Sequence, residues 1–256
     1  MPQYANIDPK IAGLKQGLDS RVESKIVAEL LGIDFGLPVF GNEGVDDLIY
    51  LYHNDRSQLA FDADFVTANS IVITVNGTAV TAVPFNTDHD TTMNDVIAQI
   101  EADITGSSVA LDATDGTNRT IFIDINGVEV IVTEAITGGG SQATGTATIS
   151  SRQVFKGYSL FTQKESAEKT DLDGNVIDAA DAKYLLKDAA NVLIDGWVTV
   201  TMFEAVNSGV AAYVKVAAGA TQGQTGTTTS GNTALTGVTI DETIAAAGLA
   251  RVRVNK

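Results

Sequence analysis

IVITVNGTAV occupies residues 71–80, and IFIDINGVEV occupies residues 121–130. Each is an apolar, β-branched run, then Asn-Gly, then a second alternating run. Asn-Gly accepts positive φ at both central positions of a tight turn, and such turns match the twist of paired strands. The repeat therefore predicts two β-hairpins. Between them, Thr92 and Asp95 read as a capping box, and Met93, Val96, Ile97, Ile100 and Ile104 fall on one face of a helix. Hairpins alone are marginal, so the expected module is a small sheet covered by that helix.

Outward from this centre, the module is expected to span 67–150 as an inserted, projecting accessory domain of α+β type. It is entered near Asn69 and left through the joint Gly138–Gly140, within TGGGSQATGTATIS. Segments 33–66 and 151–256 read as the β-rich host. Its strands are expected at 48–52, 59–65, 154–161, 192–203, 210–216 and 249–254, with a bend at Asp195-Gly196. In the last strand, alternation puts Arg251 and Arg253 on one face and the valines on the other. Residues 178–190 read as helical, with a strand at 182–186 as the alternative. The Gly- and Thr-rich stretch 217–237 reads as an irregular loop. Residues 1–32 read as an N-terminal arm and helix. Residues 1–18 are extended, and 20–31 are helical with Ser20 and Glu23 as a capping box and Val22, Ile26 and Leu30 on one face. The fold class is mainly β: a small antiparallel barrel or sandwich with an arm and an inserted domain.

The composition narrows the chemistry. The chain has 256 residues, 32 acidic against 16 basic, and a net charge of −16. Such a field repels nucleic-acid backbones. Cysteine is absent, which excludes disulfides and thiolate chemistry. No run reaches the apolar length of a membrane helix, and the N-terminus lacks a secretory pattern; the expectation is a chain made in the cytoplasm. The two histidines, His53 and His89, read as polar residues of turn-like loops. Asp88-His89-Asp90 are sequence neighbours that need not converge on a metal. Asp171, Asp173 and Asn175 imitate a calcium loop, but Ala182 stands where the bidentate Glu belongs. No nucleophile–base pair and no phosphate-binding glycine motif stands out. The expectation is a non-enzyme, with no cofactor, metal or catalytic residue, that works through its surfaces. Trp197, the single tryptophan, reads as core or near-core, with an interface anchor as the alternative. The candidate interface residues are Lys10, Lys15, Val22, Ile26, Leu30, Trp197, Arg251 and Arg253.

Several stretches resemble a family. GLPVFGNEG at 36–44, the aromatic strand around Tyr158, Gly196–Val200, Ala212–Val216 and Gly248–Val254 resemble the decoration, or structural cement, proteins of tailed bacteriophage capsids. The NGT-type hairpin followed by a T-x-x-D-V-I-x-x-I helix resembles accessory domains of filament, hook and tail proteins. The resemblance implies a virion protein on the capsid exterior, partnered by the major capsid protein and by copies of itself. A homo-oligomer, with a trimer as one form, is the assembly it implies, and no nucleic acid or membrane partner. The alternatives are a tail, collar or fibre-anchoring protein, and a bacterial surface or glycan-binding module.

Overall fold

A computed structural model of the chain describes residues 15–29, 32–42, 47–139, 142–160, 183–217 and 220–255. The chain divides into two compact units. One runs to Tyr52 and resumes at Gln153, and the other is His53–Arg152. Residues 53–66 therefore belong with the inserted unit rather than with the host. The strand at 56–61 supplies Leu59 and Phe61 to the inserted unit's core, and that burial decides its membership.

The first unit begins with β1 (Lys15–Val27), β2 (Ile33–Asp34), β3 (Pro38–Asn42) and β4 (Leu48–Ile49). The second unit holds β5 (Arg56–Phe61), β6 (Ser70–Val75), β7 (Thr78–Ala79), β8 (Val83–Pro84), α1 (His89–Asp103), β9 (Ser107–Leu111), β10 (Thr120–Ile125), β11 (Val132–Thr137) and β12 (Gly145–Ser150). The first unit resumes with β13 (Gln153–Ser159), β14 (Lys183–Tyr184), β15 (Ala189–Met202), β16 (Ala211–Lys215), β17 (Thr225–Gly226), β18 (Asn232–Ile240) and β19 (Gly248–Val254).

In the first unit, β15, β19, β18, β16 and β17 pair in turn, and β17 pairs back to β15, which closes a five-stranded barrel. Closure removes the exposed sheet edges that would otherwise template aggregation. Every second residue points inward: Val198, Val200 and Met202; Ala212 and Val214; Val238 and Ile240; Ala250, Val252 and Val254. The stretch 217–237, a loop by its composition, contributes β17 and the start of β18. Its small residues are what the closure needs. A Cβ on Gly226 would run into the Phe203 ring and the Glu204 carboxylate, so the glycine leaves room for both beside β17. Thr225 is fully buried, and its hydroxyl lies 3.1 Å from that of Tyr158. Burial pushes the Tyr158 phenol well above its ordinary pKa.

The first half of β15 carries a second core of Val27, Ile33, Val39, Ile49, Tyr184, Ala190, Val192 and Ile194. Here the helix expected at 20–31 is replaced by a strand: β1 pairs antiparallel with β15, Val22 opposite Leu193 and Ile26 opposite Ala189. The four-residue spacing of Val22 and Ile26 suits either structure, and pairing to a long buried strand decides between them. Leu30 and the remainder of the arm at 1–14 lie outside the described residues. So do residues 178–182 of the helix expected at 178–190; its described part, 183–190, is β14, a turn and the start of β15.

The second unit builds one core from two sheets and α1. One sheet has the order β12-β5-β10-β9; in the other, β6 pairs with β11, β7 and β8. The first Asn-Gly forms the expected hairpin: Asn76 and Gly77 both have positive φ, and β7 returns along β6. The second does not. Only Gly127 has positive φ, and the chain crosses to the other sheet, where β11 pairs with β6. Both edges of β10 are already taken by β5 and β9, so no edge remains for a returning strand. The helix starts earlier than the Thr92 cap predicts. Asp88 is the N-cap, accepting from the Thr91 N–H at 2.7 Å. Met93, Val96 and Ile100 are fully buried, as their spacing predicts. The unit's two ends meet: Arg56 pairs with Ser150, and the buried Asp55 carboxylate accepts from the Arg152 N–H at 2.8 Å. Arg56 grips Asp124 through two bonds of 2.7 and 3.0 Å beside them.

Candidate interaction surface

The outer wall of the barrel is set by the alternation that fills its inside. With Val198, Val252 and Val254 turned inward, Trp197 and Arg253 must face outward, and the register places them directly opposite each other. Gln16 of β1 flanks Trp197 on the other side. The Arg253 guanidinium sits over the indole, 5.0 Å from the ring centroid, an attraction that also desolvates one face of the cation. Trp197 is half-buried and belongs to no core cluster. Of the core or near-core expectation, only the full burial is missing; the reason is its phase on β15, one step out of register with Val198 and Val200. Arg253 is exposed and has no carboxylate partner among the described residues.

Arg251 shares the wall with a different role. Its Nε donates to Asp241 at 2.5 Å, and its backbone N–H donates to Glu242. Its charge is neutralised within the barrel. Lys15 is exposed at the start of β1, opposite Val198. Val22 and Ile26 are 37% and 45% exposed, but they flank the other half of β15. Leu193, the partner of Val22, lies four positions from Trp197, about 13 Å along the strand. The structure therefore brings Trp197, Arg251 and Arg253 together on one wall, sets Val22 and Ile26 apart, and pairs Lys15 with the inward-facing Val198, out of phase with Trp197. Lys10 and Leu30 lie outside the described residues.

Two polar devices have no local signal in the sequence. Glu204, after β15, accepts from the backbone N–H groups of Thr227 and Thr228 and from both hydroxyls, which ties the chain after β17 to the barrel. Burial opposes ionisation of this carboxyl, yet these donors, Thr228 first, hold its pKa below the ordinary value. His89, a polar loop residue by its sequence neighbours, instead opens α1, and its ring is buried. Its Nδ1 accepts from the Phe65 N–H at 3.0 Å, and Nε2 lies 3.2 Å from the Asn118 carbonyl. The Phe65 ring packs against it, with centroids 5.0 Å apart. The ring thus joins three segments of the unit. The apolar Phe65 beside it is a tertiary neighbour that the local sequence does not announce.

No protein-family model matches the chain, and no curated protein matches it in sequence.

Proposed function

We propose that this is a non-enzymatic virion structural protein that binds the outside of a phage capsid shell through its barrel unit. The observation that carries this reading is the Trp197–Arg253 pair on the outer wall. Trp and Arg dominate the energetics of protein interfaces, where a preorganised, partly desolvated pair loses little entropy on docking. In a chain of net charge −16, an exposed guanidinium without an acidic partner among the described residues favours an acidic site on the partner. The sequence resemblance to capsid decoration proteins supplies the class of partner, the major capsid protein. The separately cored unit His53–Arg152 fits the role of an accessory projection.

Cosedimentation with empty capsid shells of the encoding phage tests this. The wild-type protein is expected to pellet with shells, and Arg253→Glu and Trp197→Ala are each expected to weaken attachment at least about tenfold. Circular dichroism should show both variants folded. The reading fails if the wild type stays in the supernatant, or if neither substitution changes attachment. Attachment to isolated tails in place of shells would transfer the function to a tail or collar component.

A further inference from the structure

Beyond Gln16, the strand β1 has one unfinished edge. Toward β15, Val27 donates to the Asp188 carbonyl, so odd-numbered backbone groups face inward. Ile26 and Ala28 donate the other way, to Asp47 and Ile49 beside β4. β4 pairs with β1 only at Ile26 and Val27. The N–H and C=O groups of Val22 and Ser24 therefore point outward and meet no partner among the described residues. Such an edge invites a further strand.

The sequence of this edge matches itself. Read antiparallel about Val22, Ser20-Arg21-Val22-Glu23-Ser24 places Ser against Ser, Arg21 against Glu23, and Val22 against Val22. Sliding by one register step breaks it. One way sets Glu23 against Glu23 and Arg21 against Lys25; the other sets Arg21 against Arg21 and Glu23 against Asp19. A slide that pairs Glu23 with Lys25 needs the outward face of Ile26, which Asp47 already occupies. Glu23 already gathers Arg21 at 2.8 Å and Lys25 at 3.0 Å on its own strand. A second copy would extend this alternation of sign across the edge, where opposite charges on facing strands stabilise and like charges oppose pairing.

We infer that β1 is a homodimerisation edge: two copies pair β1 to β1 antiparallel about Val22, in register from position 20 to position 24. The contact is isologous, since each Arg21 meets the Glu23 of the other copy. It joins the nine-stranded sheets of two copies. It stands on the geometry of β1 alone, whatever surface the barrel binds.

Sedimentation equilibrium over a concentration series reads the association directly. The wild type is expected to approach twice the 26.7 kDa chain mass. Arg21→Glu and Glu23→Arg should each remain monomeric. An equimolar mixture of the two should dimerise again, because each acid-bearing edge then faces a base-bearing one. The native chain has no cysteine, so register is tested by single-cysteine variants. Val22→Cys is expected to form an intermolecular disulfide on mild oxidation, as directly opposed residues lie about 5.5 Å apart between Cα atoms. Ser20→Cys should cross-link to Ser24→Cys in a mixture and not to itself. A monomeric wild type, a dimer indifferent to both charge reversals, or cross-linking without this register dependence overturns the inference.

Discussion

In the first Asn-Gly stretch the chain folds back on its own strand; in the second it leaves its sheet. The turn residues are the same, and the outer strands differ little in composition. What differs is the edge on offer. β6 reaches its turn with a side open to β7, whereas β10 is flanked by β5 and β9. A turn sequence thus sets what a corner can do, and the free edge decides what it does. The two corners are also linked. The Asn76 side chain donates to the Glu129 carbonyl at 2.7 Å and accepts from the Ile131 N–H at 2.8 Å, so the first turn holds the crossing that follows the second.

The largest effect should fall equally on both copies, because they share one core. Ile73 and Ile123 are both fully buried in it, and Ile73→Ala or Ile123→Ala is expected to cost about 3 kcal/mol. The single Trp and all the Tyr residues lie outside His53–Arg152. Their fluorescence should therefore report an unchanged barrel transition while circular dichroism shows the inserted unit melting earlier. A Trp197 transition that shifts equally would show that the two units unfold together.

A smaller effect should separate the copies. Asn76→Ala forfeits two hydrogen bonds and puts alanine at positive φ, for about 2 kcal/mol. Asn126 is not at positive φ, and its side-chain oxygen accepts from Arg152 at 3.0 Å; Asn126→Ala should cost less than about 1 kcal/mol. Equal losses in urea titrations would mean that the crossing does not depend on the first turn.

The smallest difference should be one of pH. The lead-in to β6 is tied by the Asn69 amide to Val66 and Gly138, which does not titrate. The lead-in to β10 is tied by Asp115, which accepts from the Thr117 hydroxyl, the Thr117 N–H and the Arg119 N–H. The Thr117 hydroxyl first, with these backbone donors, holds its carboxyl far below the ordinary range. A depressed folded pKa stabilises above the unfolded value near 4, and that stability fades as pH falls through and below it. The inserted unit's melting midpoint should therefore drop on acidification below about pH 4, and Asp115→Asn should show a shallower drop. Parallel pH curves for variant and wild type would remove Asp115 as a source of the acid sensitivity.

Local patterns are legible in the sequence wherever one element decides its own fate. The β6–β7 hairpin, the buried face of α1, and the valine-in, arginine-out alternation of β19 follow from period and turn chemistry. Legibility ends where a distant strand decides. Val22 and Ile26 fit a helix until β15 claims them, and Thr225-Gly226 fits a loop until the barrel needs two small residues to close. The candidate surface is legible in part. Arg253 follows from alternation alone, but its stacking on Trp197, and the capture of Arg251 by Asp241, depend on cross-strand register. The self-matching order around Val22 is plain in the sequence, yet it gains meaning only once β1 is a strand with an open edge.

The meeting of Asp55 with Arg152 bears on how the chain folds. For the host, the roughly hundred residues of His53–Arg152 are a loop to be closed before β13 can find β3. Once the insertion has folded, its ends are already together, and the host sees a short connection in its place. With closure entropy growing as the logarithm of loop length, that substitution lowers the cost of closure by on the order of 3 kcal/mol. The insertion that interrupts the first unit in sequence thereby shortens the search by which β13 finds β3.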